Sequence, residues 1–224
     1  MKMKGFTLAE VLITLAIIGV VATMTLPALL NNTAEQQYKT GLKKGINTLT
    51  EAANMNQAID GWDFSSITSE KTDNENAQSV YALLQKRTAV DKTRTDAQKN
   101  KDIGGALVTG NCNVFLRDGS AISFNAKQST ADARKAIQDD NLPLGVAVVY
   151  DTNGLKGPNQ LSNCSGKIVA TAGVFDDKAT GQDGKPQAVC SDKTKRVIKD
   201  LFGLRLRGAV VVPNGEAARW AFEN

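Results

Sequence analysis

One long apolar run near the amino terminus constrains this chain more than any other feature. The segment from Phe6 to Leu30 has 25 residues and a single charged side chain, Glu10. As a helix it would be roughly 37 Å long, enough to cross a bilayer core of about 30 Å. A carboxylate inside a membrane span is costly, so Glu10 requires a partner or a function there.

Two interpretations of the apolar run compete. A secretory signal peptide would begin with a basic region, here Lys2 and Lys4, and would be removed. However, the run is longer than the apolar region of about 7–15 residues in a signal peptide, and an acid lies near its start. A retained single-span anchor accounts for both features, with its basic end in the cytoplasm and the rest of the chain outside.

The residues around Glu10 carry a resemblance to a known family. The segment from Lys4 to Ile13, KGFTLAEVLI, resembles the processing site of type IV prepilins and type II secretion pseudopilins. The resemblance implies that a prepilin peptidase cuts after Gly5 and methylates the new amino terminus at Phe6. It also implies that Glu10 is needed for assembly with other pilin subunits.

Charge pairing gives a physical reason for that role of Glu10. After cleavage the amine of Phe6 is a cation in lipid, and Glu10 is an anion in lipid. Each charge is costly alone, whereas the two neutralise one another when they pair between neighbouring subunits. We therefore expect Glu10 to fix the register of assembly.

Two helix-weakening residues, Gly19 and Pro27, also match positions where family helices carry a glycine and a proline. Pro27 has no N–H for the carbonyl of Thr23, and the hydroxyls of Thr23 and Thr25 lie near enough in sequence to satisfy freed groups. The resemblance implies loss of helix between the two positions on assembly. A simple proline kink explains the same residues.

Beyond Pro27 an apolar stripe predicts that the helix continues to about residue 59. Its members recur every three or four residues: Tyr38, Leu42, Ile46, Leu49, Ala53 and Asn56. The charged residues off the stripe are expected to face solvent or neighbouring subunits: Lys39, Lys43, Lys44 and Glu51. The predicted helix spans residues 6–59 and ends near Asp60-Gly61.

The remaining sequence predicts a small, mostly antiparallel sheet. The segment Val114–Phe124 has a hairpin pattern around Asp118-Gly119, and residues 144–150 form an apolar, β-branched central strand. Two further strands, 200–208 and 209–215, are hinged at Gly208. Helical segments are predicted at 77–87 and 132–138, an exposed loop or frayed helix at 92–102, and irregular chain at 161–192. The fold class is α+β, a pilin-like ladle in which the long helix packs on about four or five strands.

Two features of the chain beyond the long helix, in the expected ectodomain, are candidate binding or cross-linking sites. The cluster from Asp151 to Asn159, DTNGLKGPN, resembles stretches of some prepilin-like ectodomains. Asp151 and Asn153 could hold Ca²⁺, although Asx turns explain these residues without a metal. Of the three cysteines, we favour a disulfide between Cys164 and Cys190, which would contribute about 3 kcal/mol. Cys112 is then free, or pairs with Cys164 instead. The cysteines do not have a CxxC spacing, so a zinc site is not predicted.

Composition excludes several other functions. The sequence has no histidine, and it lacks the G-x-S-x-G, H-E-x-x-H and P-loop patterns, so no enzyme is predicted. The net charge of +4 falls to +2 when Lys2 and Lys4 leave with the leader, which is too small to indicate nucleic-acid binding. The aromatic content of 5% provides no stacking platform for single strands.

The resemblance therefore implies a structural subunit of a type IV pilus-like filament or a type II secretion pseudopilus. It would be extracted from the bacterial inner membrane by an assembly ATPase and a platform protein, and would end in the periplasm or on the cell surface. The expected parts are a leader (1–5), a transmembrane or filament-core helix (6–30), its amphipathic half (31–60) and an ectodomain (61–224).

The alternative is a minor pilin whose ectodomain binds DNA, a surface or a secreted protein. Its candidate basic patch consists of Lys193, Lys195, Arg196, Lys199, Arg205 and Arg207. An ordinary solvated surface explains the same charges.

Overall fold

A computed structural model describes residues 5, 7–68, 77–93, 111–125, 146–164, 190, 192, 194 and 196–224. Its elements are α1 (Leu8–Asp60), a 3₁₀ turn (Phe64–Ser66), α2 (Val80–Arg87), β1 (Asn111–Phe115), β2 (Ala121–Asn125), β3 (Val146–Asp151), β4 (Leu201–Arg207), β5 (Val210–Pro213) and α3 (Glu216–Glu223). The chain divides into two compact units, Met1–Gln37 and Tyr38–Asn224. The α+β class predicted from the sequence is confirmed.

Helix α1 has 53 residues and is continuous through Gly19 and Pro27. It ends where Gly61 adopts a φ of +75°, a left-handed conformation that glycine adopts at low cost. The Gly61 N–H donates to the carbonyl of Gln57 at 3.1 Å, which satisfies one of the last carbonyls of the helix. The predicted end near Asp60-Gly61 is confirmed.

The five strands form one antiparallel sheet in which each strand pairs with its neighbour in the chain, in the order β1-β2-β3-β4-β5. Strand β3 is central, as its apolar β-branched sequence predicted. Gly119 (φ +92°) closes the turn between β1 and β2, and Gly208 (φ +55°) closes the turn between β4 and β5. Both turns therefore occur at the glycines identified from the sequence.

The second half of α1 contributes its apolar stripe to the main core. Leu42, Leu49, Ala53 and Asn56 are completely buried, together with alternate residues of β3 and β4 such as Val148 and Leu204. A smaller cluster lies apart from this core and contains Phe115, Ala121, Val149 and Leu201. Because strand side chains alternate between the two faces, the two clusters lie on opposite faces of the sheet.

Helix α3, at the carboxyl end, was not predicted, and it changes the environment of Lys39. Lys39 is only 6% exposed, and its Nζ lies 4.1 Å from the ring centroid of Trp220 in α3. The expectation that Lys39 faces solvent or a neighbouring subunit is therefore wrong. The reason is that α3 places an aromatic ring over a position that α1 alone would leave exposed.

The short helix predicted at residues 77–87 is α2, and Ser79 caps it by accepting from the Ala82 N–H. The helical turns predicted at 132–138 lie outside the described residues. So do most of the irregular segments predicted at 92–102 and 161–192.

Candidate functional sites

The amino-terminal end of α1 is closed by reciprocal hydrogen bonds between Thr7 and Glu10. The Thr7 backbone N–H donates to Glu10 Oε2 at 2.8 Å, and the Thr7 hydroxyl donates to the same oxygen at 2.7 Å. The Glu10 N–H donates to Thr7 Oγ1 at 3.3 Å. Thr7 directly precedes the first helical residue, so these contacts form a capping box. Glu10 thus caps the amino-terminal end of its own helix, a role that the T-x-x-E spacing in the sequence is sufficient to indicate.

The predicted cleavage point, between Gly5 and Phe6, precedes the helix. Gly5 is exposed, and among the described residues no atom lies within 4 Å of the position that a Cβ would take there. Phe6 itself lies outside the described residues. Because α1 begins only at Leu8, Gly5 has non-helical, accessible backbone, which is the form that proteases cut most readily.

The first part of α1 exposes large apolar side chains around its whole circumference. Adjacent residues, which project about 100° apart, are both more than half exposed in the pairs Leu12–Ile13, Ile17–Ile18 and Val20–Val21. Mean hydropathy reaches 2.3 in an 18-residue window, none of which is buried, so the helix is long and apolar enough to cross a membrane. A helix that is apolar on all sides requires lipid or other helices around it.

The threonines near Pro27 bond within their own helix. The Thr23 hydroxyl donates to the Val20 carbonyl at 2.8 Å, and the Thr25 hydroxyl donates to the Val21 carbonyl at 3.0 Å. Neither hydroxyl is directed to the Thr23 carbonyl, which is the group that Pro27 leaves without a helical donor. The role of Gly19 and Pro27 in helix weakening stays a prediction, because α1 is continuous in the isolated chain.

A second candidate site is the loop that follows β3, which two buried carboxylates hold in place. Asp151 Oδ1 accepts from the backbone N–H groups of Asn153 and Gly154, each at 2.9 Å. The Asp200 carboxylate accepts from the N–H groups of Asn159 at 2.7 Å and Gln160 at 2.9 Å. Both carboxylates belong to residues with 0% exposure. Asp200 is distant in sequence, and no local pattern linked it to this loop.

Two oxygens of this loop are buried without a donor. Asp151 Oδ2 and Asn153 Oδ1 accept no hydrogen bond within the part of the chain that the structure describes. Burial raises the pKa of Asp151 to about 7; the hydrogen bond from Asn153 opposes this rise, and the charge of Asp200 adds to it. Among the described residues, no group of three or more Asp, Glu, His or Cys side chains is placed to hold a metal ion.

The cysteines and the basic residues complete the predicted set. Cys164 and Cys190 are joined by a disulfide with a Cα–Cα distance of 5.0 Å, across 26 residues of sequence. Arg205 was expected to be exposed, either in the candidate basic patch or on a solvated surface. That expectation is wrong, because Arg205 is only 9% exposed on β4, which has β3 and β5 on either side. The guanidinium carbon of Arg196 lies 3.5 Å from the Trp220 ring centroid, so the Arg196 cation packs against an aromatic ring of the same chain.

Comparison with known proteins identifies the amino-terminal site. Residues 1–26 match the profile of the prokaryotic N-terminal methylation motif, which is the signature of type IV prepilins and pseudopilins. The matched residues include Gly5 and Phe6, which precede the capping box, and Glu10, which belongs to it. No curated protein and no solved structure matches the chain.

Proposed function

We propose that the chain is a structural subunit of a type IV pilus-like filament or of a type II secretion pseudopilus. The single observation that carries this proposal is the combination, in one helix, of the methylation motif and an apolar surface exposed on every side. Such a surface leaves water only in a bilayer or in a bundle of like helices. Assembly would transfer Leu8–Leu30 from the first environment to the second.

The chain would be used in the parts that its sequence indicates. A prepilin peptidase removes residues 1–5 after Gly5 and methylates the amine of Phe6. Residues 6–30 are the membrane and filament-core segment, 31–60 are the amphipathic half of the helix, and 61–224 are the ectodomain outside the cytoplasm. An assembly ATPase and a platform protein would move the subunit from the inner membrane into a filament in the periplasm or on the cell surface.

The pairing of Glu10 with a new amine is the proposed assembly contact. In the capping box, Thr7 donates both of its hydrogen bonds to Oε2 of Glu10. Among the described residues no donor reaches Oε1, which leaves that oxygen available to a cation from a neighbouring subunit. In such a pair the two charges neutralise one another within the lipid. Loss of one member leaves the other charge buried without a partner.

Two substitutions separate the charge of Glu10 from its capping role. Glu10→Gln keeps a side-chain acceptor for the Thr7 N–H, because glutamine also completes a capping box, but it removes the negative charge. Glu10→Ala removes both. We expect each variant to enter the membrane and to be cleaved, and its amount in sheared filaments to fall at least about tenfold, because a stranded buried charge costs several kcal/mol.

The measurement is immunoblotting of membrane and sheared-filament fractions, with mass spectrometry of the amino terminus. Glu51→Gln, on the exposed part of α1, is the matched control and should leave incorporation unchanged. If Glu10→Gln enters filaments at the wild-type level while Glu10→Ala does not, capping rather than charge is the role of Glu10. If both variants enter normally, the proposed assembly contact is wrong.

A further inference from the structure

Helix α3 depends on a single large side chain for its attachment to the rest of the fold. It has eight residues, and an isolated helix of that length is marginal in water. Gly215 stands at its N-cap position, where no side-chain hydrogen bond caps the helix. The residues that α3 buries are Ala217, Ala218 and Ala221, each of which contributes only a methyl group. Trp220, which packs against the core, is therefore the main anchor of α3.

Two cations from distant parts of the chain lie against the ring of Trp220. The Nζ of Lys39 lies 4.1 Å from the ring centroid, and the guanidinium carbon of Arg196 lies 3.5 Å from it. Both distances are within the range of about 6 Å over which a cation is attracted to an aromatic face. Lys39 belongs to α1, which the buried apolar stripe holds in place. Arg196 lies outside the helices and strands, so its position depends on the segments around it.

Those segments place Arg196 between the two ends of the disulfide. Arg196 Nη1 donates to the Cys190 carbonyl at 3.4 Å. The next residue, Val197, exchanges backbone hydrogen bonds of 2.8 and 2.9 Å with Asn163, which directly precedes Cys164. The disulfide completes this ring of contacts, because it joins the neighbour of Asn163 to the residue whose carbonyl Arg196 binds. The position of Arg196 is thus determined by contacts at both cysteines.

Formation of the disulfide is an event that the reduced chain can undergo only in an oxidising compartment. The two thiols lose two electrons and two protons, and a disulfide oxidant accepts them by thiol–disulfide exchange. In the folded chain Cys164 and Cys190 are only 8% and 6% exposed, so the bond is shielded from an attacking thiol. The bond is therefore made once, when the chain is first oxidised, and is not cycled afterwards.

We propose that formation of the Cys164–Cys190 disulfide controls the docking of α3, because it fixes Arg196 against Trp220. In the chain without the bond, the carbonyl of Cys190 is no longer held beside Arg196, and the ring of Trp220 loses one of its two cations. Helix α3 then opens more often. Arg196 is a positioning residue in this arrangement. The inference does not rest on filament assembly, because all of these contacts lie within the unit Tyr38–Asn224.

The test is hydrogen–deuterium exchange of the full-length protein in detergent, followed by mass spectrometry of the fragment that contains α3. The oxidised wild type is compared with Cys164→Ala/Cys190→Ala, which cannot form the bond. The α3 amides of this variant should exchange about fivefold faster, the factor that corresponds to one cation–π contact at a partly exposed site. Helix α2 is the internal reference, because it bonds to α1 at Asp60, about 31 Å along the helix from Lys39.

A substitution at Arg196 separates control of α3 from a general loss of stability. Arg196→Met keeps the disulfide and an unbranched side chain but removes the guanidinium group, so its α3 should also exchange about fivefold faster. Removal of the disulfide from this variant should change the α3 rate by less than about twofold, because the two changes act through one contact. Lys199→Met is the matched control, since the described hydrogen bonds of Lys199 are made by its backbone groups, and it should exchange as the wild type does.

Three results would overturn the proposal. The first is an α3 exchange rate that is unchanged in the double cysteine variant or in Arg196→Met. The second is an equal increase in α3 and α2 when the disulfide is absent, which would mean that the bond stabilises the whole unit without a particular effect on α3. The third is a full additional increase when the cysteines are replaced in Arg196→Met, which would mean that Arg196 and the disulfide act independently.

Discussion

The phenol ring of Tyr150 lies directly on the backbone of Gly45, where helix α1 crosses the central strand β3. A Cβ added at Gly45 would lie 2.7 Å from the Tyr150 hydroxyl oxygen and closer still to the ring. One turn earlier, a Cβ at Gly41 would lie 2.8 Å from the Cβ of Thr152. Two glycines four residues apart on one helix face thus allow α1 to approach β3 closely.

Gly45→Ala should therefore destabilise the protein, although alanine is the better helix former. The helix-propensity gain is about 1 kcal/mol, whereas forcing atoms into a packed contact costs about 1–3 kcal/mol. We expect a net loss of up to about 2 kcal/mol, measured by chemical denaturation of the detergent-solubilised protein. Asn47→Ala, on the exposed side of the same helix turn, should be neutral or stabilising. A stabilised Gly45→Ala variant would contradict the close approach.

Acid should weaken the attachment of α1 to α2. Asp60 Oδ2 accepts from Arg87 at 2.9 Å and from Lys86 at 3.3 Å. Burial acts to raise the pKa of Asp60, but the hydrogen bonds and charges of Lys86 and Arg87 outweigh it and hold the pKa below its ordinary value. The stability from this group is therefore present above the unfolded pKa of about 3.9 and is lost as pH falls through the lower folded pKa.

The measurement is the denaturation midpoint of wild type and Asp60→Asn across this range. The difference between them should be constant above about pH 5 and should shrink below about pH 4. Asn47→Ala, a non-titrating substitution elsewhere on α1, should run parallel to the wild type through the acid range. A difference between wild type and Asp60→Asn that stays constant into acid would show that the ion pairs do not contribute.

Reduction of the Cys164–Cys190 disulfide should lower the free energy of unfolding. The bond closes a loop of 26 residues, which corresponds to about 3 kcal/mol in the chain-entropy model. The double variant Cys164→Ala/Cys190→Ala should match the reduced wild type in chemical denaturation. Cys112→Ala should keep the difference between oxidised and reduced protein. Identical midpoints with and without reductant would contradict a stabilising bond.

The cation beneath Trp220 should contribute to docking of α3. Lys39→Met keeps an unbranched apolar side chain and removes the charge that lies 4.1 Å from the indole centroid. We expect a loss of about 1 kcal/mol, in line with a partly desolvated cation–π contact. Lys43→Met, one helix turn further along α1, is the control. If both variants unfold at the same denaturant concentration, the contact between the Lys39 charge and the Trp220 ring does not contribute to stability.

The sequence predicted the parts of this fold that follow from local periodicity. An apolar repeat of three and four residues was sufficient to predict α1. Strand-like runs next to glycine turns were sufficient to predict the hairpins on either side of β3. Burial of Lys39 was not predictable, because it depends on Trp220, and α3 is too short to give a clear pattern. The hydrogen bonds of Asp200 to Asn159 and Gln160 join segments that approach only when β3 and β4 pair.

The pairing of every strand with its neighbour in the chain has a consequence for how this protein can diversify. Residues 126–145 connect β2 to β3, and residues 152–200 connect β3 to β4, both between strands that are already partners. Doubling the length of such a connection costs only about 0.6 kcal/mol in closure entropy. The sheet can therefore keep its hydrogen-bonded ladder while residues are replaced or added in these two connections, outside the contacts of Asp200 and the Cys164–Cys190 disulfide.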